Sequence, residues 1–360
     1  MSNFYTAKAL EKMIANGECL GTLPADAKFT PMARDILRKH KVKPGGATSA
    51  SPAAAQGVKI HNPTLPDYVY DWVPSGDPKT PAALEKFFFS PEIQALKERM
   101  VNIGRRIWEK GYSDGNGGNI TIRVGDNIVL CTPTMVSKGF MTVDDICMVD
   151  LDGNQVAGTR PRTSEVNTHL AIMKNEPAAK SCVHAHPVHA TAFAVAGVVP
   201  PPCLIPEPEV LIGEIGLAEY GTPGTPEVAG KVGAMAVKHQ SILMQNHGVI
   251  CWGKDVEDAY WKMETTEAFC QTTVVAMQIG GPKQYGADKL RELIEIRKSL
   301  GMPDYRLDDM KECQLCDSGD YTVNTASQPA DCGCPVPVGN SDVDEVMVKK
   351  ITDMIMQQLK

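Results

Sequence analysis

The spacing of apolar residues after position 90 is the strongest structural pattern in the chain. Ser90, Pro91 and Glu92 are residue types that begin helices, as N-cap, first helical residue and first-turn acid. Apolar residues then recur at steps of three and four, at Ile93, Leu96, Met100, Ile103 and Ile107. Gly111 is placed to end this segment. The pattern predicts an amphipathic helix from about residue 91 to Gly111.

Short apolar runs bounded by turn residues follow this helix and predict strands. Gly125-Asp126 separates NITIRV from NIVLCT, which is the pattern of a hairpin. Further strands are predicted in ICMVDL, SCVHAH, SILM and GVICW, and further helices over about 164–175, 188–197, 226–239 and 255–280. The Pro-rich segment before residue 226 is predicted to be a loop. The alternation predicts a layered α/β domain whose core covers about residues 90–282.

Both ends of the chain differ in composition from this core. Two short helical patterns occupy residues 1–41, and the segment 43–57 consists mainly of Pro, Gly, Ala and Ser, as in flexible linkers. Residues 58–90 are Pro-rich and are predicted to be irregular. Near the C-terminus, apolar residues form one stripe at helical spacing. The predicted organisation is an N-terminal helical extension with a linker, a main domain, a cysteine-containing linker and a terminal amphipathic helix, over residues 1–57, 58–300, 301–340 and 341–360.

Composition and charge narrow the class of protein. The chain has 360 residues, 43% apolar and 22% charged, which is ordinary for a folded globular protein. A formal net charge of −7 argues against nucleic acid as a partner. No run approaches the roughly 18 apolar residues of a membrane span, and the N-terminus lacks the apolar core of a signal peptide. We therefore expect a cytoplasmic protein without a membrane partner, whose eleven cysteines are thiols or metal ligands rather than disulfides.

Three histidines form the clearest candidate for chemistry. His184 and His186 alternate in the predicted strand CVHAHP, so both point to one face of the sheet. His247 follows the strand SILM, and Gly248 after it is expected to permit a tight turn that presents His247 at the sheet edge. Each histidine alone is well explained as a hydrogen-bonded residue of a sheet. Together they favour a divalent transition-metal site with an open coordination position, as in catalytic zinc centres.

Two segments are candidates for binding an anion. Residues 162–165, Arg-Thr-Ser-Glu, lie where a turn leads into a predicted helix, and free N–H groups at a helix N-terminus attract phosphate. The alternative is a plain cap, with Ser164 capping and Glu165 as a first-turn acid. The glycine-rich segment 115–122 is a second candidate cradle for phosphate. It lacks the lysine of a P-loop, which argues against a nucleotide site.

Four cysteines cluster near the C-terminus. The first pair, Cys313 and Cys316, has the spacing of a metal-binding motif, and the second pair, Cys332 and Cys334, is separated by one residue. We consider them a second candidate metal site, for zinc or iron–sulfur. The alternative is that all four are free thiols.

Five motifs in this order, GGNITIR, TPT, TSE, HAHPVH and NHG, resemble the class II aldolase/adducin family. The resemblance covers about residues 90–282, which makes the predicted main domain a catalytic one. It implies a three-layer α/β/α fold around a mostly antiparallel sheet. The composition of both ends of the chain adds flexible N- and C-terminal extensions to this expectation. The resemblance also implies a Zn²⁺ cofactor, with another divalent metal as the alternative, and assembly as a homotetramer.

The resemblance assigns roles to residues of this chain by motif. His184, His186 and His247 correspond to the zinc ligands, and Glu165 to the catalytic acid/base that also serves as a fourth ligand when substrate is absent. Tyr220 corresponds to a tyrosine presented to the site of a neighbouring subunit. The residues that correspond to those binding the substrate phosphate are Gly118, Asn119, Thr134, Thr163 and Ser164. The family usually has glycine after the threonine at 134, where this chain has Met135.

The activity that the resemblance implies is that of a zinc-dependent aldehyde-lyase. The expected substrate is fuculose or rhamnulose 1-phosphate, cleaved to dihydroxyacetone phosphate and lactaldehyde. A sugar-phosphate 4-epimerase and a non-catalytic adducin-like interaction module are the alternatives, and the complete set of histidines with Glu165 argues against the second. The terminal helix at 341–360 resembles peptides that dock enzymes onto bacterial microcompartment shells. It therefore predicts a shell-protein partner and a place in the microcompartment lumen.

Overall fold

A computed structural model of the chain describes residues 4–15, 20, 23–24, 26–39, 70–311, 314–316 and 324–325. Contacts within the chain divide it into two units, Met1–Ile60 and His61–Lys360. The predicted terminal helix at 341–360 lies outside the described residues. Its shell-protein partner therefore stays a prediction. Among the described residues, no helix is both long enough and apolar enough to cross a membrane.

The N-terminal unit contains the two helices that the sequence predicts. They are α1 (Ala7–Ala15) and α2 (Pro31–Lys39), accompanied by a short parallel pair of strands, β1 (Phe4–Tyr5) and β2 (Lys28–Phe29). Thr30 caps α2, since its Oγ1 accepts a hydrogen bond from the Ala33 amide at 3.2 Å. The unit has a small apolar core of its own, formed by Leu10, Leu20, Leu23, Ala33 and Leu37.

The larger unit is built on one eight-stranded sheet. Its strands are β3 (Asn119–Arg123), β4 (Ile128–Cys131), β5 (Cys147–Asp150), β6 (Gln155–Ala157), β7 (Ser181–Ala185), β8 (Ile215–Ala218), β9 (Ser241–Met244) and β10 (Gly248–Gly253). Their order in the sheet is β6-β5-β4-β3-β7-β10-β9-β8. All neighbours are antiparallel except β8 and β9, which run parallel. A separate parallel pair joins β11 (Lys283–Gln284) and β12 (Asn324–Thr325).

Nine helices belong to the described part of the larger unit. They are α3 (Pro81–Phe88), α4 (Pro91–Glu109), α5 (Val166–Asn175), α6 (Val188–Ala196), α7 (Pro206–Leu211), α8 (Pro226–Met235), α9 (Val256–Gln278), α10 (Ala287–Ser299) and α11 (Arg306–Asp309). Apolar residues of α4, α6 and α9 form one core on one face of the sheet. Those of α5 and α8 form a second core on the other face. The three-layer α/β/α fold is thereby confirmed.

Helix α4 forms for the reasons visible in its sequence. Ser90 accepts a hydrogen bond from the Ile93 amide at 3.4 Å, and Pro91 occupies the first helical position. The five predicted apolar residues are all buried in the core. Gly111 follows the helix with a φ of +71°, a left-handed conformation that glycine adopts at little cost.

Strand alternation decides which side chains face the candidate site. In β7, Val183 and Ala185 belong to the core beneath α4 and α9. Cys182 belongs to the core beneath α5, on the face to which His184 also points. Because β7 lies between β3 and β10 at the centre of the sheet, residues from both neighbours flank His184.

Several elements differ from the predictions. The segment 58–90 contains helix α3, which begins after the N-cap Thr80 with a proline at its first position, and the predicted Pro-rich loop contains α7. In both, proline begins a helix rather than preventing one. The predicted helix near residue 164 begins at Val166 with Glu165 as its N-cap, so Ser164 is not the capping residue.

One pair of cysteines contradicts the expectation that all are thiols or metal ligands. Cys203 and Cys316, 113 residues apart, form a disulfide. It joins the loop before α7 to the segment after α11, beside the buried side chains of Leu290, Ile294 and Leu315. Cys131, Cys147, Cys182, Cys251 and Cys270 are free and buried, in agreement with the expectation.

Reduction is expected to destabilise the larger unit through this disulfide. Closing a loop of this length lowers the entropy of the unfolded chain and contributes up to about 5 kcal/mol in the chain-entropy account. Reductant should therefore lower the denaturation midpoint of the natural chain. The Cys316→Ser variant should have a lower midpoint even without reductant, and adding reductant should change that midpoint little. Equal midpoints with and without reductant would contradict the assignment.

Candidate active site

The three predicted histidines meet at the end of β7. His184 lies in β7, His186 directly after it, and His247 in the turn that joins β9 to β10. One ligand atom from each lies within 4.8 Å of the others. The Nε2 atoms of His184 and His186 are 3.2 Å apart. The end of β7 and the turn between β9 and β10 therefore bring together residues that are up to 63 positions apart in sequence.

Hydrogen bonds fix the ring orientation of two histidines. His184 Nδ1 lies 2.8 Å from the carbonyl oxygen of Val249, so this nitrogen carries the hydrogen and Nε2 presents a lone pair. His186 Nδ1 lies 2.7 Å from Asp114 Oδ1, with the same consequence for its Nε2. Burial lowers the pKa of His184 to about 3, which keeps its imidazole neutral.

This donor set fits a divalent transition metal. Two nitrogens bound to one tetrahedral zinc at about 2.0–2.1 Å lie about 3.4 Å apart, close to the separation of the His184 and His186 Nε2 atoms. Lone pairs facing each other at that distance repel unless a cation lies between them. A carboxylate or carbonyl partner on the far nitrogen of a ligand histidine is the usual support of such sites.

Glu165 lies next to the histidines. Its Oε2 is 3.5 Å from His184 Nε2 and its Oε1 is 3.3 Å from His247 Nε2. Asn119 Nδ2 donates to Oε2 at 2.7 Å. Burial alone would raise the pKa of Glu165, but His184, His247 and the Asn119 hydrogen bond outweigh it and lower the pKa. The carboxylate is therefore ionised, and it lies directly beside the three histidines.

Glycine is required at two positions because of close backbone approach. Gly118 has a φ of +77°, and a Cβ there would lie 2.8 Å from the carbonyl oxygen of His184. A Cβ on Gly248 would lie 2.6 Å from a ring carbon of His186. The prediction that Gly248 makes the turn is wrong, since Asn246 has the left-handed backbone, with a φ of +57°. Gly248 instead leaves room for the His186 ring.

The candidate phosphate-binding residues lie on loops that adjoin one another. The Thr163 amide donates to the Thr132 carbonyl at 3.0 Å, and the Thr163 hydroxyl accepts from the Glu165 amide at 3.3 Å. The Thr134 amide is bonded to the Pro161 carbonyl. Ser164 is exposed beside them. Their role toward phosphate stays a prediction, and the structure additionally assigns the Asn119 side chain to Glu165.

Met135 occupies the place where the family usually has glycine. Its φ is +55° and 81% of its side chain area is exposed. The left-handed backbone explains why glycine suits this position, and a methionine there costs roughly 1–2 kcal/mol. The backbone geometry is therefore kept despite the substitution, at the cost of local strain.

Lys138 is a residue near the site that the sequence did not reveal. Its side chain is buried, and Nζ donates to the carbonyls of Asn116 at 2.8 Å and Val136 at 2.7 Å. Burial lowers its pKa to about 8, although the negative charge of Glu165 opposes this. Lys138 thus joins the glycine-rich loop to the loop after β4 and places a positive charge near Glu165.

Tyr220 is not part of the histidine cluster in the single chain. Its side chain is 52% exposed, and its amide donates to Gln245 Oε1 at 3.1 Å. Gly224 of the same loop lies beside Ser164, since a Cβ there would be 3.1 Å from the Ser164 carbonyl oxygen. The loop therefore adjoins the N-terminus of α5, and the role of Tyr220 toward a neighbouring subunit stays a prediction.

The structure removes one cysteine from the second candidate metal site. Cys316 is bonded to Cys203 and is not available as a ligand. Cys313, Cys332 and Cys334 lie outside the described residues. A four-cysteine site that includes Cys316 is therefore wrong for this form of the protein.

Asp114 is the clearest supporting residue that sequence reasoning missed, because it is 72 positions from His186. Asp114→Ala should weaken zinc binding by about 10- to 100-fold, since it removes the carboxylate that orients His186. Asp114→Asn, which keeps an acceptor oxygen, should have a smaller effect. Competition with a zinc-binding dye measures both affinities. Equal affinity for the natural chain and Asp114→Ala would show that His186 needs no such support.

Comparison with known proteins now agrees with this geometry. The profile of the class II aldolase and adducin N-terminal domain matches residues 98–274. An L-fuculose phosphate aldolase of Methanococcus maripaludis is 37% identical over 175 residues, which are 49% of this chain and 94% of that protein. The chain belongs to the class II aldolase and adducin family.

Other members of the family are similar to this chain at comparable levels. A 3-oxo-tetronate 4-phosphate decarboxylase of Haemophilus influenzae is 34% identical over 193 residues, covering 52% of this chain and 90% of that protein. The structure of Escherichia coli YgbL is 27% identical with a TM-score of 0.53, covering 56% of this chain and 98% of that one. Class II aldolase relatives therefore include both aldolases and a decarboxylase, so the family identifies a lyase without fixing its substrate.

Proposed function

We propose that this protein is a zinc-dependent aldolase that cleaves fuculose or rhamnulose 1-phosphate to dihydroxyacetone phosphate and lactaldehyde. The observation that carries the proposal is the ionised Glu165 carboxylate, 3.3 and 3.5 Å from imidazole nitrogens of the three-histidine cluster. A carboxylate that can take up and deliver a proton beside a metal site is what carbon–carbon cleavage next to a carbonyl requires. The relatives named L-fuculose phosphate aldolase support the choice of substrate.

His184, His186 and His247 would hold the metal through their Nε2 atoms. When bound, a divalent cation supplies Lewis-acid stabilisation of the negative charge that develops on the substrate carbonyl oxygen. The protein's contribution is to hold the three rings in position, through Val249 for His184 and Asp114 for His186. Because these supports fix the tautomers in advance, little reorganisation is needed when the ion enters.

Glu165 would move the proton at the carbon next to the carbonyl. In the condensation direction, its carboxylate removes a proton from the hydroxymethyl carbon of dihydroxyacetone phosphate. In the cleavage direction, Glu165 would take up a proton from water and deliver it to that carbon after the bond to the aldehyde carbon has broken, which leaves the carboxylate ionised again. The lowered pKa of Glu165 keeps it ionised and ready to accept the proton. No lysine Schiff base is needed for this route.

The remaining groups would act at the two ends of the substrate. The loops that carry Gly118, Thr134, Thr163 and Ser164 adjoin Glu165, so a phosphate bound there would hold the carbonyl end near the histidines. The aldehyde end carries a hydroxyl that loses its proton during cleavage. Tyr220 from a neighbouring subunit of a homotetramer would exchange that proton.

A decarboxylase is the second candidate, and the similarity to 3-oxo-tetronate 4-phosphate decarboxylases favours it. Loss of CO₂ from a 3-oxo acid leaves negative charge on the carbon next to a carbonyl. The same histidines and the same Glu165 would stabilise and protonate that carbon. The two reactions therefore use one site and differ in the group that leaves.

A substrate panel distinguishes these functions. Purified protein loaded with zinc would be incubated with fuculose 1-phosphate, rhamnulose 1-phosphate, ribulose 5-phosphate and 3-oxo-tetronate 4-phosphate, each with and without chelator. Chelator-sensitive release of dihydroxyacetone phosphate and lactaldehyde supports the aldolase. Release of CO₂ supports the decarboxylase instead, epimerisation of ribulose 5-phosphate supports the epimerase, and no turnover of any substrate contradicts all three activities.

A further inference from the structure

A buried chain of hydrogen bonds leads from the middle of the sheet to Glu165. Thr121 Oγ1 lies 2.9 Å from His169 Nδ1, and His169 Nε2 is bonded to Asn119 Oδ1. Asn119 Nδ2 donates to Glu165 Oε2 at 2.7 Å. Thr121 and Asn119 come from β3, whereas His169 and Glu165 come from α5 and its N-cap. The chain thus joins a strand to the helix that carries the proposed base.

The direction of every hydrogen bond in this chain follows from its last member. The Asn119 amide nitrogen donates to Glu165 Oε2, so the amide oxygen faces His169. The oxygen only accepts, so His169 must carry its hydrogen on Nε2. In a neutral imidazole the other nitrogen is then an acceptor, and the Thr121 hydroxyl donates to it. All the dipoles point toward the carboxylate.

Burial keeps His169 in the neutral form that this order requires. Its side chain is completely buried, and burial lowers its pKa to about 4 despite the opposing charge of Glu165. Thr121 is also completely buried and Asn119 is 3% exposed. An unmade hydrogen bond at any of these positions would leave a buried polar atom without a partner, at a cost of about 1–3 kcal/mol.

We propose that His169 is a positioning residue that fixes the Asn119 amide with its nitrogen toward Glu165. Rotated by half a turn, the amide would place its oxygen against the carboxylate and repel it from its place between His184 and His247. His169 prevents this rotation because its Nε2–H can pair only with the amide oxygen. The effect on turnover rests on the proposed function, whereas the tautomer and the amide orientation do not.

Neutron diffraction from a crystal of the zinc-loaded full chain tests the orientation directly. The expected nuclear density shows deuterium on His169 Nε2, none on Nδ1, and the Asn119 ND₂ group toward Glu165. Deuterium on Nδ1, or the amide oxygen toward Glu165, would overturn the proposal. This measurement needs no substrate, so a protein with the expected density that cleaves no ketose phosphate would refute the proposed function alone.

Three variants test the consequence for proton transfer. His169→Leu removes the donor to the Asn119 amide oxygen, so the amide can rotate and lose its bond to Glu165. We expect kcat to fall about 10- to 100-fold, the loss expected for that one hydrogen bond to a charged group. His169→Gln places an amide donor near the former Nε2 and should recover most of the rate. Thr121→Val, at the far end of the chain, should lower kcat by about 2- to 10-fold.

The readouts separate positioning from a structural role. Deuterium incorporation from D₂O into dihydroxyacetone phosphate should fall in parallel with kcat, while KM and zinc content stay within about twofold of the natural chain. Equal losses in His169→Leu and His169→Gln, or loss of zinc with the rate, would overturn the proposal. If His169→Leu does not fold, the His169→Gln rate and the neutron density still test the proposal. A His169→Gln rate as low as that of a Glu165 variant would contradict the proposal.

Discussion

His184→Ala is expected to release the metal and to lower kcat/KM by at least about a thousandfold. The side chain is almost completely buried, and its Nε2 lies 3.2 Å from the Nε2 of His186. Removing one of three nitrogen ligands leaves too few to hold the ion. Lewis-acid stabilisation contributes several kcal/mol to such reactions, and about 4 kcal/mol corresponds to a thousandfold in rate.

Elemental analysis of the purified variant, together with steady-state rates, tests this expectation. His239→Ala is a matched control, because His239 bonds to the Glu214 carbonyl and stands outside the cluster. It should retain zinc and turnover. His247→Ala should cause the same loss of metal and of turnover. Because His247 is only half-buried, its removal should not create a cavity in the core. A His184→Ala protein with normal zinc content and normal turnover would eliminate the proposed site.

Glu165→Gln is expected to lower kcat by about 10²- to 10⁴-fold while the metal stays bound, which is the usual range for losing a general base. Glutamine keeps an oxygen that can accept from Asn119, so the packing around Asn119 and His184 should persist. It cannot take up the proton from dihydroxyacetone phosphate. The loss should therefore appear in proton transfer and not in metal affinity.

Exchange of the hydroxymethyl proton of dihydroxyacetone phosphate in D₂O isolates this step. We expect Glu165→Gln to abolish exchange, with zinc content equal to that of the natural chain. Exchange at the natural rate would mean that another group is the base. Zinc loss in Glu165→Gln would mean that Glu165 serves mainly as a ligand.

The sequence predicted the parts of this protein that depend on local pattern. Strand alternation placed His184 and His186 on one face, and the periodicity from Ile93 onward predicted helix α4 with its correct first residue. Prediction from local pattern failed at two prolines, because proline is found both in irregular segments and at the first position of helices. Irregular chain is predicted around Pro81 and Pro206, but each of these prolines begins a helix.

The supporting residues of the site could not be predicted, because they depend on long-range packing. Asp114 reaches His186 across 72 positions, and His169 reaches Asn119 across 50. Only the pairing of β3 with β7 and the packing of α5 bring His169 to the site. The Cys203–Cys316 disulfide likewise joins segments whose proximity no spacing rule predicts.

Anomalous diffraction at the zinc absorption edge, from crystals grown with zinc, tests the central claim most directly. The account predicts one strong peak at about 2.0–2.1 Å from the Nε2 atoms of His184, His186 and His247. Zinc held by other residues, with no peak among these three rings, would contradict the account.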